Sequence, residues 1–370
     1  MKNSIGNNMQ VTIFGESHGP FIGCVLDGLA PGIKIDEAFI NHQLDMRRPS
    51  GKISTARVEA DNWQIVSGAF NGYTTGTALT IIIPNSVQHS KDYSKMATLA
   101  RPGHADFTAE CKYHGFQDYR GGGHFSGRIT AALVAAGGVV IPALAKKGIF
   151  IGSHVKTCGG VVDSPFATDE AGLKNQISKL NDAPFAVIGD GIEKAMREKI
   201  EEAASEGDSV GGILETAVVG LPAGLGEPWF DSLESMLSHA LFSVPAVKGV
   251  QFGAGFDLVN SRGSEFNDPL RMDGNRVVTT TNNNGGINGG ISNGMPVVFS
   301  CAVKPTPSIY KEQKTIDFNK YEDADLAIEG RHDPAIIHRA RVVVDSVTAL
   351  VIYDVLCGRY GTDFFTQESK

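Results

Sequence analysis

Apolar and polar positions follow two rhythms along this chain. Apolar residues falling three and four apart predict helices over 36–46, 126–146, 170–180, 192–204, 231–242 and 334–356. The last shows the spacing through Val342, Val343, Val347, Leu350, Val351 and Asp354. Short apolar runs set off by turn residues predict strands over 78–83, 148–155 and 296–303. The 126–146 segment carries Gly137-Gly138 in its middle. Each glycine costs a helix interior roughly 1 kcal/mol, so close approach of another helix is the expected reason for the pair.

The pattern occurs twice. GESHGPFIGCVLDGLAPG at 15–32 aligns without a gap with GDSVGGILETAVVGLPAG at 207–224, and each copy runs on into a predicted helix. A weaker echo follows, in which glycine-bounded turns at 72–76 and 290–294 each lead into a strand, and each half closes on a long apolar helix. The expectation is a single domain over 1–370 with duplicated halves, about 1–147 and 207–370, and a helical insertion at about 148–206. Strands joined mainly by hairpins, with helices apolar enough to be buried, predict an α+β fold. Its form would be a β-α-β sandwich, with long central helices between antiparallel sheets and the halves related by a pseudo-twofold axis. The repeat also separates roles. Glycines shared by both copies serve a turn that both need. His18, by contrast, is matched by Val210; the fold tolerates an apolar residue there, so the imidazole is a candidate for chemistry.

Composition narrows the function. Hydrophobic residues make up 42% and charged residues 20% of the 370 positions, which is ordinary for a globular protein. The 44 glycines are the exception, about twice the usual share of roughly 7%. A net charge of -8 gives no general attraction to nucleic acid or an anionic membrane, so an anionic ligand needs a local cationic pocket. The first residues hold no apolar run that reads as a leader, and the apolar stretch 129–144 is shorter than the roughly 20 residues of a typical span. The five cysteines are scattered without a C-x-x-C pair. That fits reduced thiols in a cytoplasm and neither a disulfide framework nor a zinc site.

Such a pocket has candidates. His18, His104, His124 and His332 sit in loops rich in glycine, proline or arginine, and histidine is the side chain best placed to move protons near neutral pH. Arg47, Arg48, Lys52 and Arg57 follow the first helix; Arg101, Arg120 and Arg128 flank the histidine loops; Arg331, Arg339 and Arg341 surround the last of them. Gathered on an acidic protein, they predict a site for a small, multiply charged anion, because guanidinium grips carboxylate and phosphate with paired hydrogen bonds. Gly121-Gly122-Gly123-His124 opens a helix and could accept an anion there. It lacks the preceding apolar strand and the later acidic residue of a dinucleotide loop. The run TTTNNNGGINGG at 279–290 and the segment Lys304-Pro305-Thr306-Pro307-Ser308 offer backbone amides, hydroxyls and a cation at a strand end.

Six segments carry a resemblance. They are Gly15-Glu16-Ser17-His18-Gly19, Arg101-Pro102-Gly103-His104-Ala105-Asp106, Asp118-Tyr119-Arg120-Gly121-Gly122-Gly123, GLPAGLGEP at 220–228, Ala246-Val247-Lys248-Gly249 and Gly330-Arg331-His332-Asp333-Pro334. In this order, over most of the chain, they resemble the signatures of the chorismate synthase family. The resemblance implies a sandwich of helices between sheets and a cytoplasmic homotetramer, with reduced flavin mononucleotide as cofactor and NAD(P)H only as an indirect reductant. The implied reaction is the 1,4-anti-elimination of phosphate from 5-enolpyruvylshikimate 3-phosphate, which yields chorismate for aromatic amino acid biosynthesis. It implies His18, His104 and Asp333 as catalytic residues, and Arg47, Lys52, Arg101, Ser126, Arg128 and Arg331 as substrate anchors. Flavin contacts would come from His124, Phe125, Ser126, Pro245, Ala246, Gly289, Lys304, Pro305, Thr306, Pro307, Ser308 and Arg331. The chain departs from the pattern at His124-Phe125, where Arg-Ser is common, at Lys52, where arginine is common, and at Pro307, where serine is common. The rival readings are a flavin- or nicotinamide-dependent oxidoreductase and an inactive flavin-binding relative.

Overall fold

The computed structural model describes residues 2–49, 51, 53–54, 60–85, 98–328 and 332–366. Lys52, Arg57 and Arg331 lie outside them.

The first sheet is built from β1 (Ser4–Ile5), β2 (Gln10–Gly15), β3 (Phe21–Asp27), β4 (Gln64–Ser67) and β5 (Leu79–Pro84), in the order β1-β2-β3-β5-β4. The second is built from β6 (Phe150–Cys158), β7 (Val161–Val162), β8 (Gly212–Val219), β9 (Val247–Phe252) and β10 (Val297–Val303), in the order β7-β6-β8-β10-β9. The strand pairs in both are antiparallel. Helices α1 (Glu37–Arg47), α2 (Asp106–Tyr113), α3 (Thr130–Lys146), α4 (Glu170–Asp182), α5 (Ile192–Ser205), α6 (Leu233–Leu241) and α7 (Ile337–Tyr360) complete the frame. The α3 and α7 helices pack on each other between the sheets, α3 against β3 and β5, α7 against β6 and β8. The layering is the α+β sandwich that the hairpins and buried helices predict.

Close approach of the central helices explains the glycine pair. A Cβ on Gly137 would lie 2.4 Å from Ser346 Cβ in α7, and one on Gly138 would lie 2.8 Å from Ile40 Cγ1 in α1. Several polar groups inside this layer find partners across it. The Asp354 carboxylate accepts backbone N–H bonds from Asn7 (3.0 Å), Asn8 (2.6 Å) and Met9 (2.8 Å), which fixes the β1–β2 turn to α7. Arg341, one of the arginines expected around the last histidine loop, is buried here instead and bonds Asp345 at 3.1 Å. The apolar stretch also runs further than expected. Gly127–Lys146 is long and apolar enough to cross a bilayer, but 78% of its most apolar window is buried inside the molecule, and the α3 part of it serves as a core helix.

The outer face of the second sheet is covered by α4, whose Leu173 and Ile177 pack on Ala217 and Val219 of β8. Buried His154 of β6 holds this edge, with Nδ1 2.7 Å from Asp163 and Nε2 3.1 Å from Glu215. Burial alone would lower its pKa, but the two carboxylates outweigh it and raise it. β8 and β3, the strands of the two repeat copies, each take the middle place of a five-stranded sheet, and β6 lies beside β8 as β2 lies beside β3. We propose that the duplicated halves therefore meet near residue 148 and that the insertion is narrower than its sequence suggested, covering 159–206.

Candidate functional site

The site forms where β2, β5, α2 and the approach to α3 meet. Gly15 ends β2 with φ +97°, and a Cβ there would strike Phe21 O at 2.2 Å, so the chain can turn sharply into Glu16-Ser17-His18. Ser17 N–H donates to Gly123 O at 3.1 Å. Asn85, just past β5, donates from Nδ2 to Glu16 O (3.0 Å) and Gly19 O (2.8 Å). His124 donates from Nδ1 to Gly15 O at 2.8 Å. These bonds hold His18 and Ser17 buried, at 3% and 1% exposure.

Three successive left-handed glycines, Gly121, Gly122 and Gly123, form a thin partition. A Cβ on Gly121 would lie 2.2 Å from His18 Cε1; one on Gly122 would lie 3.4 Å from His104 Nε2. The partition therefore has an imidazole against each of two neighbouring glycines; a Cβ at Gly121 would collide with His18, and one at Gly122 would just touch His104. His104 reaches it from the turn before α2, where Arg101 and His104 both bond Asp106. Burial alone would raise the Asp106 pKa, but the bonds from Arg101 and His104 hold it well below the usual carboxylate range. Arg101 Nη1 lies 3.4 Å from Ser308 Oγ, and Lys304 Nζ bonds Gly103 O.

A second cationic group adjoins the first. Asp61, wholly buried, bonds both Arg47 (3.1 Å) and Arg128. Burial would raise its pKa, but the two guanidinium groups hold it low. Arg128 Nε donates to Asn85 Oδ1 at 3.1 Å, which ties this group to the His18 loop, and its backbone N–H donates to Ser126 Oγ at 3.2 Å. Arg339 links Arg47, through its carbonyl (2.8 Å), to the Asp333 carboxylate (2.8 Å). His332 stacks edge-on against Tyr310 at 5.0 Å, and burial followed by the charge of Arg101 lowers its pKa.

Most expected site residues enter one connected set. Ala246 has φ +73°, and its carbonyl accepts from Lys304 N–H at 2.9 Å, which brings Pro245-Ala246 to the 304–308 segment. Pro305 packs near Gly211, and Thr306 O accepts from Ser209 Oγ at 2.8 Å, so the second repeat loop backs this segment. Pro307 lies 3.5 Å from a Cβ built on Gly103. Phe125 sits 6.1 Å from the Tyr113 ring, on the wall of a cavity of about 210 Å³ beside α2. Gly289 stands apart, exposed in the turn between Ile287–Asn288 and Ile291–Ser292, whose Gly290 carbonyl accepts from Leu233 at the start of α6. Three participants, Asp61, Asn85 and Asp106, were not singled out by sequence reasoning. Asp106 stood in a quoted motif; Asp61 and Asn85 lie in segments with no local signal.

Arg101 and His104 share the Asp106 carboxylate, and Arg47 and Arg128 share the buried Asp61 carboxylate, a grouping of cations that suits a small polyanion. The family model described as chorismate synthase matches residues 9–357. The chain is 45% identical over 354 residues to the chorismate synthase of Pyrococcus abyssi (96% of this chain, 97% of that one). It is 43% identical over 356 residues to that of Dehalococcoides mccartyi (96% of each). A crystal structure of chorismate synthase superposes with a TM-score of 0.76 at 28% identity, covering 96% of this chain and 94% of that one. The chain belongs to the chorismate synthase family, and it is a lyase of aromatic amino acid biosynthesis.

Proposed function

We propose that the chain eliminates phosphate from 5-enolpyruvylshikimate 3-phosphate in a 1,4-anti sense to give chorismate. Reduced flavin mononucleotide is the cofactor, and NAD(P)H serves only as an indirect reductant. The observation that carries this reading is the pair of imidazoles, His18 and His104, set against adjacent glycines of one partition, with His104 beside Arg101. In the reaction a carbon–oxygen bond to phosphate and a ring carbon–hydrogen bond break and a carbon–carbon double bond forms, with no net oxidation. Departing phosphate needs charge stabilisation and a proton. Arg47, Arg101 and Arg128, with Lys52, Arg331 and Ser126, hold the substrate's phosphate and carboxylates. His18 and His104 supply protons from their ring nitrogens, and Asp333, held by Arg339, serves the removal of the ring proton.

Residues for a phosphorylated flavin are present. Thr306 Oγ1 and Ser17 Oγ are buried without a hydrogen-bond partner among the described residues, ready for a group that neither donates to now. Lys304 has its pKa lowered by burial and then by the charge of Lys248, so two cations stand near one strand end. His124 to Ser126, Pro245-Ala246 and Lys304 to Ser308 would hold the cofactor, which when bound lends electron density to the substrate. Large exposed apolar side chains such as Trp229, Phe230, Phe256 and Leu270 support assembly into the family's homotetramer, and the four buried thiols (Cys24, Cys158, Cys301 and Cys357) suit a cytoplasmic protein.

The test is anaerobic. With chemically reduced flavin, phosphate and chorismate should appear in equal amounts, and neither should appear with oxidised flavin. His18→Ala and His104→Ala should each lower turnover about 10²–10⁴-fold. Consumption of NAD(P)H in step with product, without phosphate release, would point to an oxidoreductase instead; wild-type rates from either variant would remove the proton-transfer roles.

A further inference from the structure

We infer that Asp106 is a positioning residue that orients the proton donor His104 and the substrate anchor Arg101 through one carboxylate; this rests on the roles proposed above. Asp106 opens α2, where free backbone N–H groups favour a negative side chain. Its side chain is only 10% exposed. Oδ1 accepts from His104 Nδ1 (2.6 Å) and Arg101 Nη2 (2.8 Å), and Oδ2 accepts from Arg101 Nε (2.8 Å) and the Arg101 backbone N–H (3.0 Å).

The consequences follow from what each group can donate. An ionised carboxylate only accepts. Oδ1 lies closer to Nδ1 (2.6 Å) than the Arg101 Nη2 donor does (2.9 Å), and Nη2 itself donates to Oδ1, so Nδ1 directs its proton to Oδ1 in either state of the ring. The proton that His104 exchanges is then the one at Nε2, on the edge that faces Gly122. Arg101 spends its Nε and Nη2 donors on Asp106, which turns Nη1 toward Ser308. One carboxylate thus sets which imidazole nitrogen acts and which guanidinium edge meets an anion, and holds the two side chains 2.9 Å apart. An amide at 106 cannot accept all four bonds.

The experiment is a cycle of Asp106→Asn, His104→Ala and the double variant, in the anaerobic assay. We expect Asp106→Asn to lower kcat about 10²-fold by misplacing a catalytic group and to raise KM about 10-fold by loosening Arg101. In the His104→Ala background it should leave kcat within about 2-fold yet still raise KM, because groups that act as a unit are not additive. An equal fall in kcat in both backgrounds would make Asp106 merely structural and overturn the inference. A normal Asp106→Asn beside an impaired His104→Ala overturns the inference alone; wild-type turnover in His104→Ala overturns it together with the proton-donor role. The wild-type protein gives a check that needs no folded Asp106 variant. In ¹⁵N-histidine spectra, the ring signal missing from His104→Ala should show the neutral form protonated at Nδ1, and protonation at Nε2 would refute the assignment.

Discussion

Gly121→Ala is the sharpest probe of the partition between the histidines. The added Cβ would lie 2.2 Å from His18 Cε1, 2.4 Å from His18 Nδ1 and 3.0 Å from Ser17 Oγ, at a residue with φ +60°. Ordinary contact begins near 3.4 Å, so the ring or the loop must withdraw by about 1 Å, a misplacement that can cost about 10²-fold in rate. The left-handed backbone adds about 1–2 kcal/mol for any residue with a Cβ, and the collision adds about 1–3 kcal/mol of overpacking. Two controls separate these effects. Gly274→Ala, at φ +58° with nothing within 4 Å, carries the backbone strain alone. Gly122→Ala brings its Cβ no closer than 3.4 Å to His104. The assay is anaerobic turnover under saturating substrate, with thermal melts of all three variants. We expect Gly121→Ala to lose about 10²-fold in kcat, Gly122→Ala to lose much less, and Gly274→Ala to lose stability only. A Gly121→Ala enzyme with wild-type kcat would show that the placement of His18 against the partition does not matter to catalysis.

Two further outcomes follow from buried contacts. Asp61→Asn leaves Arg47 and Arg128 without their shared carboxylate and should cost about 3–5 kcal/mol of stability at neutral pH, read from urea midpoints. The folded pKa of Asp61 is depressed, so its contribution is complete above the unfolded value and fades as pH falls through the folded one. The gap between wild type and variant should therefore narrow below about pH 4, and an unchanged gap would mean that charge is not what Asp61 supplies. Gly137→Ala should destabilise by about 1–3 kcal/mol through its collision with Ser346. The loss should shrink in a Ser346→Gly background, and an equal loss in both would locate the strain elsewhere.

What could be read from the sequence was what repeats locally. Helical spacing placed α1 to within a residue, and Asp36, the first residue of the predicted stretch, caps it by accepting the Phe39 N–H at 3.0 Å. Gly137-Gly138 announced a helix crossing, since nothing within its own helix would justify the cost. The histidine loops were legible because glycine, proline and arginine around a histidine are unusual together. What stayed hidden depends on partners distant in sequence. β6 keeps no visible likeness to β2, and only its pairing with β8 supports the proposal that it opens the second half rather than belonging to the insertion. Arg341 resembled the other arginines of the last loop; its Asp345, one helical turn on, was the available sign that it would be paired inside α7. Asp61 had no sign at all. It collects arginines from the end of α1 and from the approach to α3, so its importance exists only once those two segments have been brought together. A buried carboxylate that serves two arginines is selected by the field they create, and that field is a property of the folded chain.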